Sequence, residues 1–187
     1  MIQYNSPVIL SFALISLIAL ILNYITMGLT NRYLFSVYRG PLTNPLTYVR
    51  LFTHVLGHAD ISHYMGNMMY FLLLGPIIEE KYGSRNTLLM ILVNAAVTGI
   101  LNCLLMPNSS LLGASGVVFC FIILSSMTSI EQGKIPLTLI LVCLLYLTTE
   151  IYNAIFVKDN ISQFGHIIGG ICGCIFGFTV DRIGKRR

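Results

Sequence analysis

Four residues whose types could act together on a carbonyl lie far apart in the chain: His63, Asn67, Ser115 and His166. A serine hydroxyl becomes a nucleophile when a positioned base takes its proton, and His166 is the only histidine after residue 63 that can do so. His63 and Asn67 are four apart, hence on one face of a helix, and both can donate hydrogen bonds to an oxyanion. Ser115 stands in Gly113-Ala114-Ser115-Gly116, where two glycines permit close backbone approach. A helix beginning there offers free N–H groups and a partial positive charge to a developing negative charge. The chemistry these residues imply is acyl transfer by a Ser115–His166 dyad, with His63, Asn67 and the Ser115 N–H as oxyanion hole. The one acidic candidate for orienting the imidazole is Glu150.

The surroundings that must position these groups are apolar. The 187 residues are 56% hydrophobic and only 10% charged, the balance of a lipid-embedded chain. The net charge of +4 does not indicate nucleic acid, because the basic residues are scattered between apolar runs and gather at the C-terminal end. Five cysteines fall inside apolar stretches without CxxC spacing, and read as packing residues. Runs long enough to cross or nearly cross a hydrocarbon core of about 30 Å cover 7–29, 60–79, 86–106, 115–130, 136–157 and 162–180. The expectation is an all-α membrane protein, one bundle of six transmembrane helices over 1–187. The first run is too long for a signal-peptide core and is expected to be retained. The connection 30–59 mixes breakers with aromatic and aliphatic residues, which predicts a first loop resting on or dipping into the membrane.

Counting back to the inner boundary at about 1.5 Å per residue places Ser115, His166 and His63 at about 22–24 Å and Asn67 at about 18 Å. They belong to the second, fourth and sixth spans, which run in the same direction, so one buried polar layer is geometrically available. Polar groups inside spans are costly and by default mark function. The fourth span is short and follows Pro107, Asn108, Ser109 and Ser110, so it is expected to start below the outer surface, where irregular backbone is tolerated against a water-filled cavity. Gly170 and Gly173 lie within about 40° of His166 on a helical wheel and would let the sixth span approach the fourth. Seven Lys and Arg on one side against four on the other favour both termini in the cytoplasm of a cell membrane.

In order and spacing, His58…His63-x-x-x-Asn67, Gly113-Ala114-Ser115-Gly116 and His166-x-x-Gly169-x-x-x-Gly173 resemble the signature of rhomboid intramembrane proteases, over residues from about 49 to 183. The resemblance implies that Ser115 is the nucleophile, His166 the base, and His63 and Asn67 the oxyanion side chains. It implies structural roles for Arg50, His54 and His58, and for Glu80 at the inner end of the second span. Gly113, Gly116, Gly169 and Gly173 are supporting positions. Two positions depart from the family pattern: Val49 replaces the tryptophan that commonly precedes the loop arginine, and Phe119 replaces the tyrosine that stacks on the catalytic histidine. The implied substrates are single-spanning membrane proteins with helix-destabilising residues near the cut, met within the bilayer, and no cofactor, metal or nucleic acid is expected.

Other classes fit less well. His54, His58 and His63 suggest a metal site, but Val55 follows His54, so no HExxH pair exists. The spans lack the paired aspartates of an aspartyl protease, and inverted repeats or paired charges of a transporter are absent. Ser115 could serve only as a small residue at a helix crossing, and Asn67 only as an interhelical donor. The main alternative is a catalytically silent rhomboid relative that binds transmembrane clients.

Overall fold

Caps and breakers set the helix boundaries in the computed structural model, which describes residues 4–127, 137–156 and 163–184. Helix α1 (Pro7–Ile25) opens on a proline, whose missing N–H is not needed in a first turn. It ends before the expected residue 29 because Met27 and Gly28 take positive φ, 51° and 93°, and turn the chain out of the helix.

The first loop is more ordered than its breakers suggest. It holds a π turn (Asn31–Phe35), helix α2 (Pro45–Thr53) and a 3₁₀ turn (His54–Leu56). Asn44 caps α2 by accepting the Leu46 N–H at 3.0 Å, and Pro45 occupies the first helical position. Helix α3 (Ile61–Tyr82) starts where the Asp60 carboxylate accepts the His63 N–H at 2.8 Å. It runs past the expected residue 79 to Gly83, whose φ of 80° stops it.

Helices α4 (Ser84–Leu105), α5 (Ser115–Met127), α6 (Leu137–Phe156) and α7 (Gln163–Gly184) follow. The expected limits at 130, 136, 157 and 162 lie outside the described residues, as do Lys134, Lys158 and 185–187, which entered the charge count, and the Glu150 side chain.

The described chain is all-helical apart from an isolated antiparallel bridge between Val37 and Leu111. Helices α1 and α4 are long and apolar enough to cross a membrane, while α5 and Gln163–Thr179 of α7 are apolar but shorter. Of α5 the described residues run from Ser115 to Met127.

Helix α5 lies at the centre, most extensively packed on α7 and also against α3 and α4. A ladder of rings ties three helices together: Phe12 of α1 stacks on Phe71 of α3 at 4.6 Å, and Phe71 on Phe121 of α5 at 5.4 Å. Inside a bilayer such packing is held by dispersion and close fit rather than by removal from water. A further tie joins α1 to α3, where both Glu79 carboxylate oxygens accept N–H groups from the α1 first turn, Val8 and Ile9, each at 3.1 Å. Those amides have no partner within their own helix, so the carboxylate caps α1 from its neighbour. Glu79 is buried and also accepts the Ser84 hydroxyl at 2.6 Å, whereas Glu80 is exposed. The structural carboxylate at this end is therefore Glu79, and the expectation for Glu80 is corrected.

Candidate active site

The segment leading into α5 is held by the first loop. Val37 and Leu111 exchange two backbone hydrogen bonds of 2.9 Å, and the Gly113 N–H donates to the His54 carbonyl at 2.9 Å. Ser109 pairs its hydroxyl with the Asn102 side-chain oxygen at 3.1 Å. Gly113 has φ of 121°, a backbone conformation that strains any residue with a Cβ. Space forbids one as well: a Cβ there would lie 2.8 Å from His63 Nε2 and 3.6 Å from Asn67 Nδ2. His63 and Asn67, one turn apart on α3, thus converge on the backbone two residues before Ser115. Ser115 takes the first position of α5, where N–H groups have no intrahelical partner.

Helix α7 approaches α5 along a glycine stripe. A Cβ on Gly116 would meet the Gly165 carbonyl at 3.2 Å, and one on Gly169 would overlap the Gly116 carbonyl oxygen. Below, a Cβ on Gly173 would lie 2.6 Å from the Cys120 carbonyl, and one on Gly177 would strike the Met127 thioether. The stripe therefore runs 169, 173, 177 in steps of four. Gly169 and Gly173, both expected as supporting positions, make these contacts, and Gly177, which no motif marks, extends them.

The Gly116–Gly165 contact lies one residue from Ser115 on α5 and one residue from His166 on α7. Phe119, one turn beyond Ser115, lays its ring on the His166 imidazole with centroids 4.4 Å apart and planes tilted by 39°. The ring contact expected at this position is present without a phenolic hydroxyl. His166 and His63 also stand close enough to interact electrostatically. His166 is buried, while Ser115 and His63 are half-buried, so the centre is shielded yet reachable.

Two observations give this cluster chemical meaning. The Asn67 side-chain nitrogen is buried with no protein hydrogen-bond partner, a state it shares with other buried side chains such as Asn102, and it is available to a developing oxyanion. Behind Ser115, towards α4, lies a cavity of about 10 Å³ walled by Thr98, Gly116, Gly165 and His54. That is room for about one water molecule.

The supporting histidines are neutral and structural. His54 donates from Nδ1 to the Arg50 carbonyl at 3.1 Å, and burial holds its pKa at about 4. His58 pairs Nδ1 with the Leu56 carbonyl at 3.2 Å; burial first, then the nearby His63 charge, bring its pKa to about 4. Its ring meets His63 and Tyr64 edge-on, with centroids 5.2 and 5.3 Å away. Arg50 is buried, with its guanidinium 4.2 Å from the Tyr38 ring centroid, and donates to the Tyr38 hydroxyl at 3.0 Å. Tyr38 thereby secures the loop arginine, while Val49, at the usual tryptophan position, is exposed. Asp60 and Tyr38 had no motif to mark them: the first is a helix cap, the second a contact across the loop.

Residues 45–183 match the Rhomboid domain, and the chain belongs to the rhomboid family of membrane proteins. It is similar to Rhomboid-related protein 2 of Mus musculus, 29% identical over 161 residues that cover 75% of this chain and 53% of that protein. Similarity to Rhomboid protease GlpG of Haemophilus influenzae is 26% over 139 residues, covering 73% of this chain and 71% of the relative. Rhomboid-related protein 1 of Caenorhabditis elegans is 27% identical over 140 residues, covering 70% of this chain and 39% of that protein. The chain spans about half the length of the mouse relative.

Proposed function

We propose that the protein is an intramembrane serine endopeptidase: a single bundle of six spanning helices, with both termini in the cytoplasm, that cuts transmembrane segments of single-spanning proteins. The observation that carries this reading is the convergence of His63 and Asn67 on Gly113, at the mouth of the α5 N-terminus that begins with Ser115. A donor left free next to a half-buried serine and a buried histidine suits an oxyanion hole.

In this mechanism a substrate helix unwinds near the outer surface, because intact helical hydrogen bonds shield the peptide bond. The Ser115 hydroxyl oxygen attacks the exposed carbonyl carbon as His166 takes its proton. The negative oxygen that forms is held by Asn67, His63 and the Ser115 N–H. His166 then protonates the departing amine, and the acyl-serine ester is hydrolysed by water activated by the same imidazole. Phe119 holds the imidazole plane through both halves of the cycle. The one-water cavity beside Ser115 supports delivery of that water across an otherwise apolar bundle.

The test is cleavage of a reporter transmembrane substrate in liposomes by the wild-type chain and by Ser115→Ala. The expected result is cleavage by the former alone. Cleavage by both would remove Ser115 from the mechanism. Client binding without cleavage by either would favour the catalytically silent alternative.

A further inference from the structure

Away from the serine, a cavity of about 420 Å³ opens between α1 and α4 beneath the first loop. Its walls are Ser11, Phe12 and Ile15 from α1 and Leu88 and Leu92 from α4, and Phe52 of α2 closes one end. The volume falls within the range of about 300–1,000 Å³ typical of small-molecule sites. Both walls belong to the two helices best suited to cross a membrane, so the groove faces hydrocarbon. Its lining is almost wholly apolar. A peptide backbone lodged there would leave its N–H and C=O groups without partners, at a cost of several kcal/mol per group. A hydrocarbon chain carries no such cost.

The first loop caps the groove at the end towards which α1 and α4 both run. An acyl chain lying in the groove therefore has its headgroup at the end where α1 begins. At that end Arg85, exposed on the first turn of α4, lies on the same helical face as Leu88 and Leu92, three and seven residues on. Nearby carboxylates do not compete equally for it: Glu79 is buried and committed to the amides of Val8 and Ile9 and to Ser84, leaving Glu80 as the exposed one on α3. An arginine at the mouth of an apolar slot is suited to a phosphate, which it can bind through two parallel N–H donors.

We infer that this groove is a phospholipid site, holding one acyl chain between α1 and α4 with the lipid phosphate on Arg85. The lipid fills the space under Phe52, and so supports the loop whose His54 carbonyl anchors Gly113. Occupancy is thereby linked to the loop that braces the candidate active site, but the lipid site stands on the groove and Arg85 alone and does not require catalysis.

The test uses the full chain in non-ionic detergent with phosphatidylglycerol bearing a diazirine in its acyl chain, followed by photolysis and peptide mapping. Crosslinks are expected to concentrate on α1 and α4 residues lining the groove and to be displaced by excess unlabelled phosphatidylglycerol. Ile15→Phe, at an exposed wall position, and Ser11→Phe are each expected to cut groove labelling at least fivefold. Arg85→Gln is expected to weaken competition by phosphatidylglycerol severalfold, but not competition by a fatty alcohol of equal chain length. Labels spread evenly over the lipid-facing helices, or groove labelling unchanged in a folded Ile15→Phe chain, would overturn the proposal. Equal competition by both compounds in wild type and Arg85→Gln would remove the phosphate contact from it.

Discussion

Gly169→Ala would separate the two helices that carry Ser115 and His166. The added Cβ would overlap the Gly116 carbonyl oxygen and stand 2.7 Å from its carbon and 2.8 Å from its Cα, where ordinary contact begins at 3.4 Å. Relief therefore requires a separation of about 0.7 Å at the carbon and more at the oxygen. Both partners are backbone, so no side chain can rotate away. A misplacement of about 1 Å costs on the order of a hundredfold in rate, about 2.7 kcal/mol of transition-state stabilisation. Overpacking should lower stability by about 1–3 kcal/mol.

The control is Gly66→Ala, at an exposed α3 glycine with nothing within 4 Å of its added Cβ. It should retain activity and gain up to about 1 kcal/mol from helix propensity. The assay is initial-rate cleavage of the reporter substrate alongside thermal unfolding in the same detergent. A folded Gly169→Ala chain with the wild-type rate would refute the link between the glycine stripe and catalytic alignment.

Phe119→Leu removes the ring from His166, and should lower kcat about threefold to tenfold, matching the 0.5–1.5 kcal/mol of an aromatic contact, with little change in KM. Glu79→Ala leaves the Val8 and Ile9 amides and the Ser84 hydroxyl without their acceptor. It should lower unfolding stability by about 1–3 kcal/mol, while Glu80→Ala, at an exposed position, should have little effect; equal losses would contradict the assignment of Glu79. His54 and His58 have folded pKa values of about 4 against 6.5 when unfolded. Between those values the unfolded chain binds more protons, so stability is fully present above pH 6.5 and is lost as pH falls towards 4, by as much as about 3 kcal/mol for each group. The thermal midpoint should drop across that window, and a folded His54→Gln chain should show a shallower slope.

The catalytic candidates were legible because Ser, His and Asn inside apolar runs have few bland explanations, and counting residues from the inner boundary put them at similar depth. The stripe of small residues on α7 was visible for the same reason. Its extent was harder to read, since which small residues face α5 depends on helix rotation, which tertiary packing decides. Glu79 and Glu80 posed the same problem: adjacent on a helix, they point about 100° apart, and only the arrival of the α1 N-terminus distinguishes them. Helix α2 was hidden because nine residues that begin with Pro45 and follow Pro41 and Asn44 resemble a broken loop. Yet Asn44 and Pro45 are the cap and first residue of a helix. Tyr38 carried no local signal, because its bond to Arg50 spans 12 residues of irregular chain.

The central claim is that Ser115 is a nucleophile activated by His166. Its most direct test is intact-mass and peptide analysis of the folded chain after exposure to a fluorophosphonate, which forms a stable adduct with base-activated serines. The account predicts one adduct per chain, on Ser115, with labelling at least a hundredfold slower in His166→Ala. Labelling of other serines instead, or a Ser115 rate indifferent to loss of His166, would contradict it.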